Sequence, residues 1–161
     1  MAKKKNKSSP GELLVCSNAK ATQRYTIEER LEVGMVLAGS EVKSMRDRRA
    51  DLDGAYASFD RSGELYIHKM YVAPYEQAGP FNHEPRRSRK LLIKKSEIKR
   101  LSGKLTIRGY TLIPLRVYFR NGWAKMELGL GKGKNVGDRR QDLRQKADQR
   151  DAQAAMNRRR R

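Results

Sequence analysis

The sequence predicts a mainly β fold: a small, closed antiparallel β-barrel with a few short helices around it and a basic C-terminal tail. Three observations carry this expectation. First, Ile113, Leu115, Val117 and Phe119 alternate, Asn121-Gly122 follows, and Ala124, Met126 and Leu128 alternate on the way back. Asn-Gly between alternating apolar runs is the strongest short hairpin signal, because both central residues of a type I′ turn need positive φ. Second, Ala55, Ala57 and Phe59, then Leu65 and Ile67, alternate around Asp60-Arg61-Ser62-Gly63 and form another hairpin. Third, 37% hydrophobic content, with three Phe and one Trp in 161 residues, allows one small core. Short strands with few helices favour closure, because a closed sheet has no exposed edges.

Along the chain, residues 1–10 read as a disordered Lys/Ser/Asn/Pro leader ahead of a folded unit over 11–130. Tyr25 to Val42 is ambiguous. Thr26 with Glu29 resembles a capping box, and Ile27, Leu31 and Met35 fall at helical spacing. Tyr25, Ile27, Val36 and Ala38 also alternate around a break at Glu32-Val33-Gly34, as two strands would. Periodicity leaves both readings open. Glu41 to Arg49 reads as a short helix before Asp53-Gly54, and Ala73 to Pro85, with three prolines, as a loop. Leu91 to Ile93 is a short apolar run. Ser96 is placed to cap a helix over Glu97 to Leu101 that Gly103 ends. Pro114 inside a strand predicts an edge or a bulge. Gly129 to Gly133 lacks the Walker spacing and reads as a flexible exit from the last strand.

The chain carries 37 Lys/Arg against 18 Asp/Glu, a net charge of +19. Such a balance points to nucleic acid or an anionic membrane surface. No apolar run approaches the roughly 20 residues of a membrane span, and the stretch behind the Lys-rich start is too short for a signal sequence. The chain therefore reads as cytoplasmic. From Gly131 to Arg161 there are eleven Lys/Arg against four Asp/Glu, and the only large apolar residues are Val136, Leu143 and Met156. That segment lacks the apolar surface to offset its ordering entropy, so it is expected to be disordered alone and to order on a polyanion. Helix formers run from Asp138, a first-turn acid, with Gly137 as a hinge.

Catalytic chemistry finds little support. The single cysteine, Cys16, excludes an intramolecular disulfide and a Cys-based zinc site, and reads as an ordinary thiol. His68 reads as a solvent-facing strand residue. His83, ahead of Glu84-Pro85-Arg86-Arg87, is weighed as a phosphate or RNA contact against a loop role. There is no phosphate-cradling glycine loop, no metal-ligand cluster and no cofactor signature. Binding is better supported. Arg86 to Arg100 holds eight Lys/Arg and one acid. A solvated charged face is the plain alternative. Arg86, Arg87, Arg89 and Lys90, however, lie where a loop enters a strand and can converge on a phosphate. Tyr25, Tyr71, Tyr118 and Trp123 stand beside cations, as stacking rings do in RNA-binding barrels. The same rings also suit packing, and packing is the expectation for Trp123.

Several segments together resemble one family. They are Asn18-Ala-Lys20 with Tyr25, Glu32-Val-Gly34, Gly39-Ser-Glu-Val-Lys-Ser-Met-Arg46, Gly54-Ala-Tyr56, Arg86-Arg-Ser-Arg-Lys-Leu-Leu92, Gly109-Tyr-Thr111, Trp123-Ala-Lys125, Gly131-Lys-Gly-Lys134 and Asp138-Arg-Arg140. In this order they resemble the small protein B family, the SsrA-binding proteins of bacterial trans-translation. The resemblance implies an oligonucleotide-binding (OB-like) barrel, and makes Tyr25–Val42 two strands with a turn at Gly34. It implies an adaptor, not an enzyme. Such an adaptor binds the tRNA-like domain of transfer-messenger RNA and delivers it to the A site of a stalled ribosome. The implied partners are that RNA, the decoding centre and mRNA channel of the small subunit, the large-subunit side of the A site, and elongation factor Tu with GTP through the charged RNA.

By position, Asn18, Lys20, Tyr25, Glu32, Tyr56, Leu92 and Lys125 match the family's RNA-contacting surface, and Arg89 and Lys90 are expected to join them. Gly133, Asp138, Arg139 and Arg140 match the start of a tail that becomes a helix on the ribosome. Lys132, Lys134, Gly137, Arg144 and Lys146 complete the ribosome-facing set. The chain departs from the family at Gly137, where His or Tyr is usual, so a ring contact there must be lost, displaced or replaced. The alternatives are a ribosomal protein or ribosome assembly factor with a barrel core, and an RNA-processing enzyme. The enzyme would require an acid cluster or a His pair, which the sequence lacks.

Overall fold

The computed structural model describes residues 11–159; the leader expected over residues 1–10 lies outside them, as does the end of the terminal arginine run. The elements in chain order are β1 (Glu12–Ser17), α1 (Ala21–Arg24), β2 (Tyr25–Met35), α2 (Gly39–Arg46), β3 (Ala50–Asp51), β4 (Tyr56–Phe59), β5 (Leu65–His68) and β6 (Tyr71–Val72). A 3₁₀ turn (Glu76–Phe81), β7 (Arg89–Leu92), α3 (Lys95–Leu105), β8 (Tyr110–Arg120), β9 (Trp123–Gly133) and α4 (Val136–Arg159) follow. The fold is mainly β with a few helices, as expected.

Hydrogen-bonded neighbours run β8-β4-β5-β7-β2-β9, and β9 pairs back onto β8, so the circuit of six strands closes. All these pairings are antiparallel. β1 adds to β8 along Arg116–Arg120, while β3 and β6 form a separate two-stranded ladder. Alternation supplies the core: Leu31, Val33, Leu65, Ile67, Leu112, Val117, Met126 and Leu128 all turn inward and are buried. Each such side chain contributes roughly 1.5–3 kcal/mol on leaving water.

The β8–β9 hairpin forms as its turn predicts, with Asn121 at φ 51° and Gly122 at φ 80°. The β4–β5 hairpin also forms, and the side chain and backbone of Asp60 close its turn onto Ser62, Gly63 and Glu64. Pro114 sits at a bulge, where the β8–β9 register shifts between Pro114 and Arg116.

Four sequence expectations are corrected. Tyr25–Val42 contains one long strand, not two: β2 runs through Gly34, which pairs with Leu92 and Lys125. Gly34 is needed for closeness rather than for a turn, since a Cβ there would lie 3.3 Å from Leu92 Cβ. Gly129 to Gly133 is no flexible exit but the end of β9, paired on both sides to β2 and β8. A Cβ on Gly131 would lie 2.9 Å from Ile27 Cδ1 and 3.0 Å from the Thr26 carbonyl, so the folded unit reaches Gly133. α3 begins at Lys95, with no side-chain cap from Ser96, and passes through Gly103 to Leu105. The tail is helical from Val136, and Gly137 lies inside its first turn rather than acting as a hinge. Its described side chains are exposed, including Leu143 and Met156. The helix thus presents no buried apolar face among its described residues.

α2 is fixed by charge. Glu41 is fully buried and accepts from the Ala38 N–H at 2.8 Å, from Arg89 Nε at 2.7 Å, and from Arg87 at 2.8 and 2.5 Å. Burial pushes the Glu41 carboxyl up, but the bonds from Arg87, Ala38 and Arg89 overcome it, and its pKa falls below the ordinary value. Glu41→Ala leaves a buried guanidinium without its partner and should cost about 3–5 kcal/mol, read as a lower Tm. A depressed folded-state pKa means that this stability is present above the unfolded value near 4.5 and is lost as pH falls through the lower folded value. Thermal melts from pH 6 downward should therefore fall less steeply for the variant than for the parent chain.

Candidate nucleic-acid interface

The outward face of β2, β8 and β9 carries charge where the inward face carries Leu and Val. Arg30 pairs with Glu127 at 3.1 Å, and Glu127 pairs with Arg116. Arg116 reaches Glu12 at 3.5 Å, and Glu12, nearly buried, also holds Arg120. Arg120 meets Glu32 at 2.8 Å, and Lys125 meets Glu32 at 3.2 Å. The Tyr118 ring lies between the Arg116 and Arg120 guanidiniums, 4.8 and 5.3 Å from its centroid, and its hydroxyl donates to Glu32. That hydrogen bond is the largest cause holding the Glu32 carboxyl below its ordinary value; Lys125 and Arg120 add to it. Burial, then the Glu32 carboxylate, raises the Tyr118 phenol.

Glu32 therefore stands as a fixed, ionised acceptor on a cationic face. Lys125 is beside it, and Leu92, 53% exposed, lies across Gly34 from it. These three line one recess with Ile93, Lys94 and Glu97. Trp123 follows two residues before Lys125 on the same face of β9 and is 74% exposed. The sequence expectation of a packed Trp123 is wrong: its β8 partner at the hairpin end is Arg120, and among the described residues most of the side chain is left uncovered. Its position beside Asn121-Gly122, at the tip of a two-residue turn, was the signal that pointed outward.

Asn18, Lys20, Tyr25 and Tyr56 meet at a second recess, together with Arg24 and Asp53. Asn18 Oδ1 accepts the Ala21 N–H at 3.1 Å and starts α1. Lys20 pairs with Asp53 at 2.7 Å, and Arg24 lies 3.9 Å from the same carboxylate. Tyr56 packs on His68 with ring centroids 5.2 Å apart. Glu32 lies seven residue steps beyond Tyr25, about 23 Å along β2 at 3.3 Å per residue. The residues expected to form one surface thus form two.

A family model described as SmpB protein matches residues 15–158. The chain belongs to the SmpB family. It is 49% identical to an SsrA-binding protein of Geobacter metallireducens over 91% of this chain and 95% of that one. Similarity to an SsrA-binding protein of Salinispora arenicola is 50%, over 92% of this chain and 93% of the relative. A solved chain, described under the words "tmRNA-SmpB: a journey to the center of the bacterial ribosome", is 46% identical. It has a TM-score of 0.63 and covers 75% of this chain and 85% of its own.

Within this SmpB chain two expected contacts are redirected. Arg89 is completely buried and cannot touch a ligand. It faces inward from β7 and donates to Glu41 and to the Met70, Arg87 and Pro85 carbonyls. Lys90 faces outward with Leu92 but pairs with Glu64 on β5. His83 serves the fold: Ser40 Oγ is 2.9 Å from Nδ1, and Nε2 donates to the Val72 carbonyl at 3.2 Å. His68 is half-buried between Ser58 and Ser88, at 3.0 and 2.9 Å, rather than solvent-facing.

The tail leaves the folded unit at the second recess. Gly133 pairs with Tyr25, the Lys134 N–H donates to the Arg24 carbonyl at 2.9 Å, and Lys134 Nζ donates to the Thr22 carbonyl at 3.1 Å. Lys132 is exposed just before this join. Gly137, Asp138, Arg139, Arg140, Arg144 and Lys146 follow in α4. Burial pushes the Cys16 thiol up to about 12, as suits an inert side chain.

Tyr118→Phe removes the hydroxyl that chiefly lowers the Glu32 pKa and leaves the ring stack in place. Carboxyl titration followed by NMR should show the Glu32 pKa rising toward 4.5. An unmoved value would mean that Arg120 and Lys125 alone set it.

Proposed function

We propose that this chain is an RNA-binding adaptor of trans-translation. It binds the tRNA-like domain of transfer-messenger RNA (SsrA RNA) and carries it to the A site of stalled ribosomes, for rescue and for tagging of the nascent peptide. One observation carries the reading furthest. In a chain of the SmpB family, Glu32, Leu92 and Lys125 share one exposed recess, with the Glu32 carboxylate held ionised by Tyr118, Arg120 and Lys125. An ionised carboxylate accepts from the amino and imino edges of unstacked bases, Leu92 and Trp123 offer apolar surface, and lysine meets the backbone. No catalytic step is needed for such a task.

The closed strand circuit supports an OB-like barrel as the binding scaffold. α4, unpacked and cationic, suits a phosphate-lined channel such as the mRNA path of the small subunit. Asn18, Lys20, Tyr25 and Tyr56 at its root contact the transfer-messenger RNA, while the first turn of α4 faces the decoding centre. In this reading Gly137 brings no ring to that centre. Contact with elongation factor Tu and GTP runs through the charged RNA, and the work is cytoplasmic. No helix among the described residues is long and apolar enough to cross a membrane.

Glu32→Ala and Leu92→Ala should each weaken transfer-messenger RNA binding by tenfold or more, about 1.4 kcal/mol or above, while Tm changes little. Gel shift against a ribosomal RNA fragment provides the contrast. Equal loss on both RNAs would favour a general ribosomal or assembly role.

Truncation after Lys134 removes α4 and keeps the whole of β9. RNA affinity and Tm should stay near those of the full chain, while peptide tagging on stalled ribosomes should fail. Loss of RNA affinity, or intact tagging, would contradict this division of labour.

A further inference from the structure

Many cations on the folded unit are already ion-paired. Arg30, Arg116, Arg120 and Lys125 belong to the outer-face network, Arg87 and Arg89 to Glu41, and Lys20 and Arg24 to Asp53. α3 is divided. Lys104 pairs with Glu29 at 3.0 Å, and Arg100 pairs with the same carboxylate. Lys94, Lys95 and Lys99 are exposed and, among the described residues, make no ion pair. The only acid of the helix, Glu97, turns back to the Lys94 N–H at 3.4 Å.

Lys95, Lys99 and Gly103 follow one another at four-residue spacing, on the side of α3 away from the buried Leu101. Glycine inside a helix is destabilising relative to alanine. Neither of its usual reasons applies at Gly103. Its φ is not positive, and an added Cβ would meet nothing within 4 Å. The fold does not explain Gly103, whereas a partner approaching the helix closely does.

We infer that this outward face of α3, built from Lys95, Lys99 and Gly103 with Lys94 at the N-cap, docks the sugar–phosphate backbone of a double-helical arm of the RNA held at Glu32, Leu92 and Lys125. The inference rests on the proposed function. It names the same RNA because Lys94 and Glu97 line the recess that holds those three residues. Charge complementarity selects a polyanion. The face has no aromatic residue, so it offers no stacking for unpaired bases, and a duplex backbone is the remaining form. Lys95 and Lys99 are offset by about 6 Å along the axis at 1.5 Å per residue, close to the step between neighbouring phosphates of one strand.

The test uses the full chain and transfer-messenger RNA, with Kd measured across a salt series. Lys95→Gln with Lys99→Gln should make the salt dependence shallower by roughly 0.9 per lost contact, with Tm unchanged. The control pair Lys43→Gln with Arg48→Gln, on and just after α2, should leave the slope near that of the parent. Gly103→Ala should raise Tm by roughly 2–4 °C. Gly103→Gln should weaken RNA binding severalfold without lowering Tm. An unchanged slope for the α3 pair, an equal change for the control pair, or full binding by Gly103→Gln overturns the α3 surface while leaving the adaptor reading intact. A parent chain that shows no preference for transfer-messenger RNA overturns both, and that result is read before any variant is made.

Discussion

The buried contact between Glu41 and Arg89 organises this fold. It joins α2 to β7, and Arg89 then reaches the Met70, Arg87 and Pro85 carbonyls, so one guanidinium fastens the segments on either side of the proline-rich loop. Arg87 closes the same carboxylate from the rim. A buried ion pair of this kind adds little net stability against an apolar replacement, but it is strict about geometry. Here that strictness sets how β7 enters the sheet, and hence where Leu92 stands opposite Gly34 and how the Glu32 recess closes.

A net charge of +19 does not mean a uniformly adhesive surface. The network from Arg30 to Lys125 alternates cation and carboxylate, and it uses those arginines to hold Glu12, Glu127 and Glu32 in place. The outward lysines of α3 belong to the exposed cations of the folded unit that no carboxylate of the described residues holds, with Arg48, Arg61, Arg108 and Lys132.

The sequence made some features legible and hid others for physical reasons. Both hairpins were readable because Asn121-Gly122 and Asp60 to Gly63 impose local turn geometry. The course of Tyr25 to Met35 was hidden, since its partner strand lies far along the chain and local spacing fits either element. Gly129 to Gly133 looked flexible because their tight packing against Ile27 and Thr26 is a tertiary fact. Arg89 and Lys90 look alike in sequence, yet strand alternation sends one into the core and one to the surface. The family motif named the expected contact residues as one set, but only the fold shows that Glu32, Leu92 and Lys125 line one recess and Asn18, Lys20, Tyr25 and Tyr56 another.

The closing of the strand circuit also dictates when this protein can fold. β2 finds most of its partners on β9, with Tyr25 opposite Gly133, and Glu12 of β1 reaches Arg120 across 108 positions. Contacts of such long range are slow to form, and they are absent until the later strand exists. During synthesis β1 and β2 must therefore wait, unclosed, until β8 and β9 have been made. Piecewise folding from the N-terminus is unavailable to this topology: the ring closes only once its last strand exists.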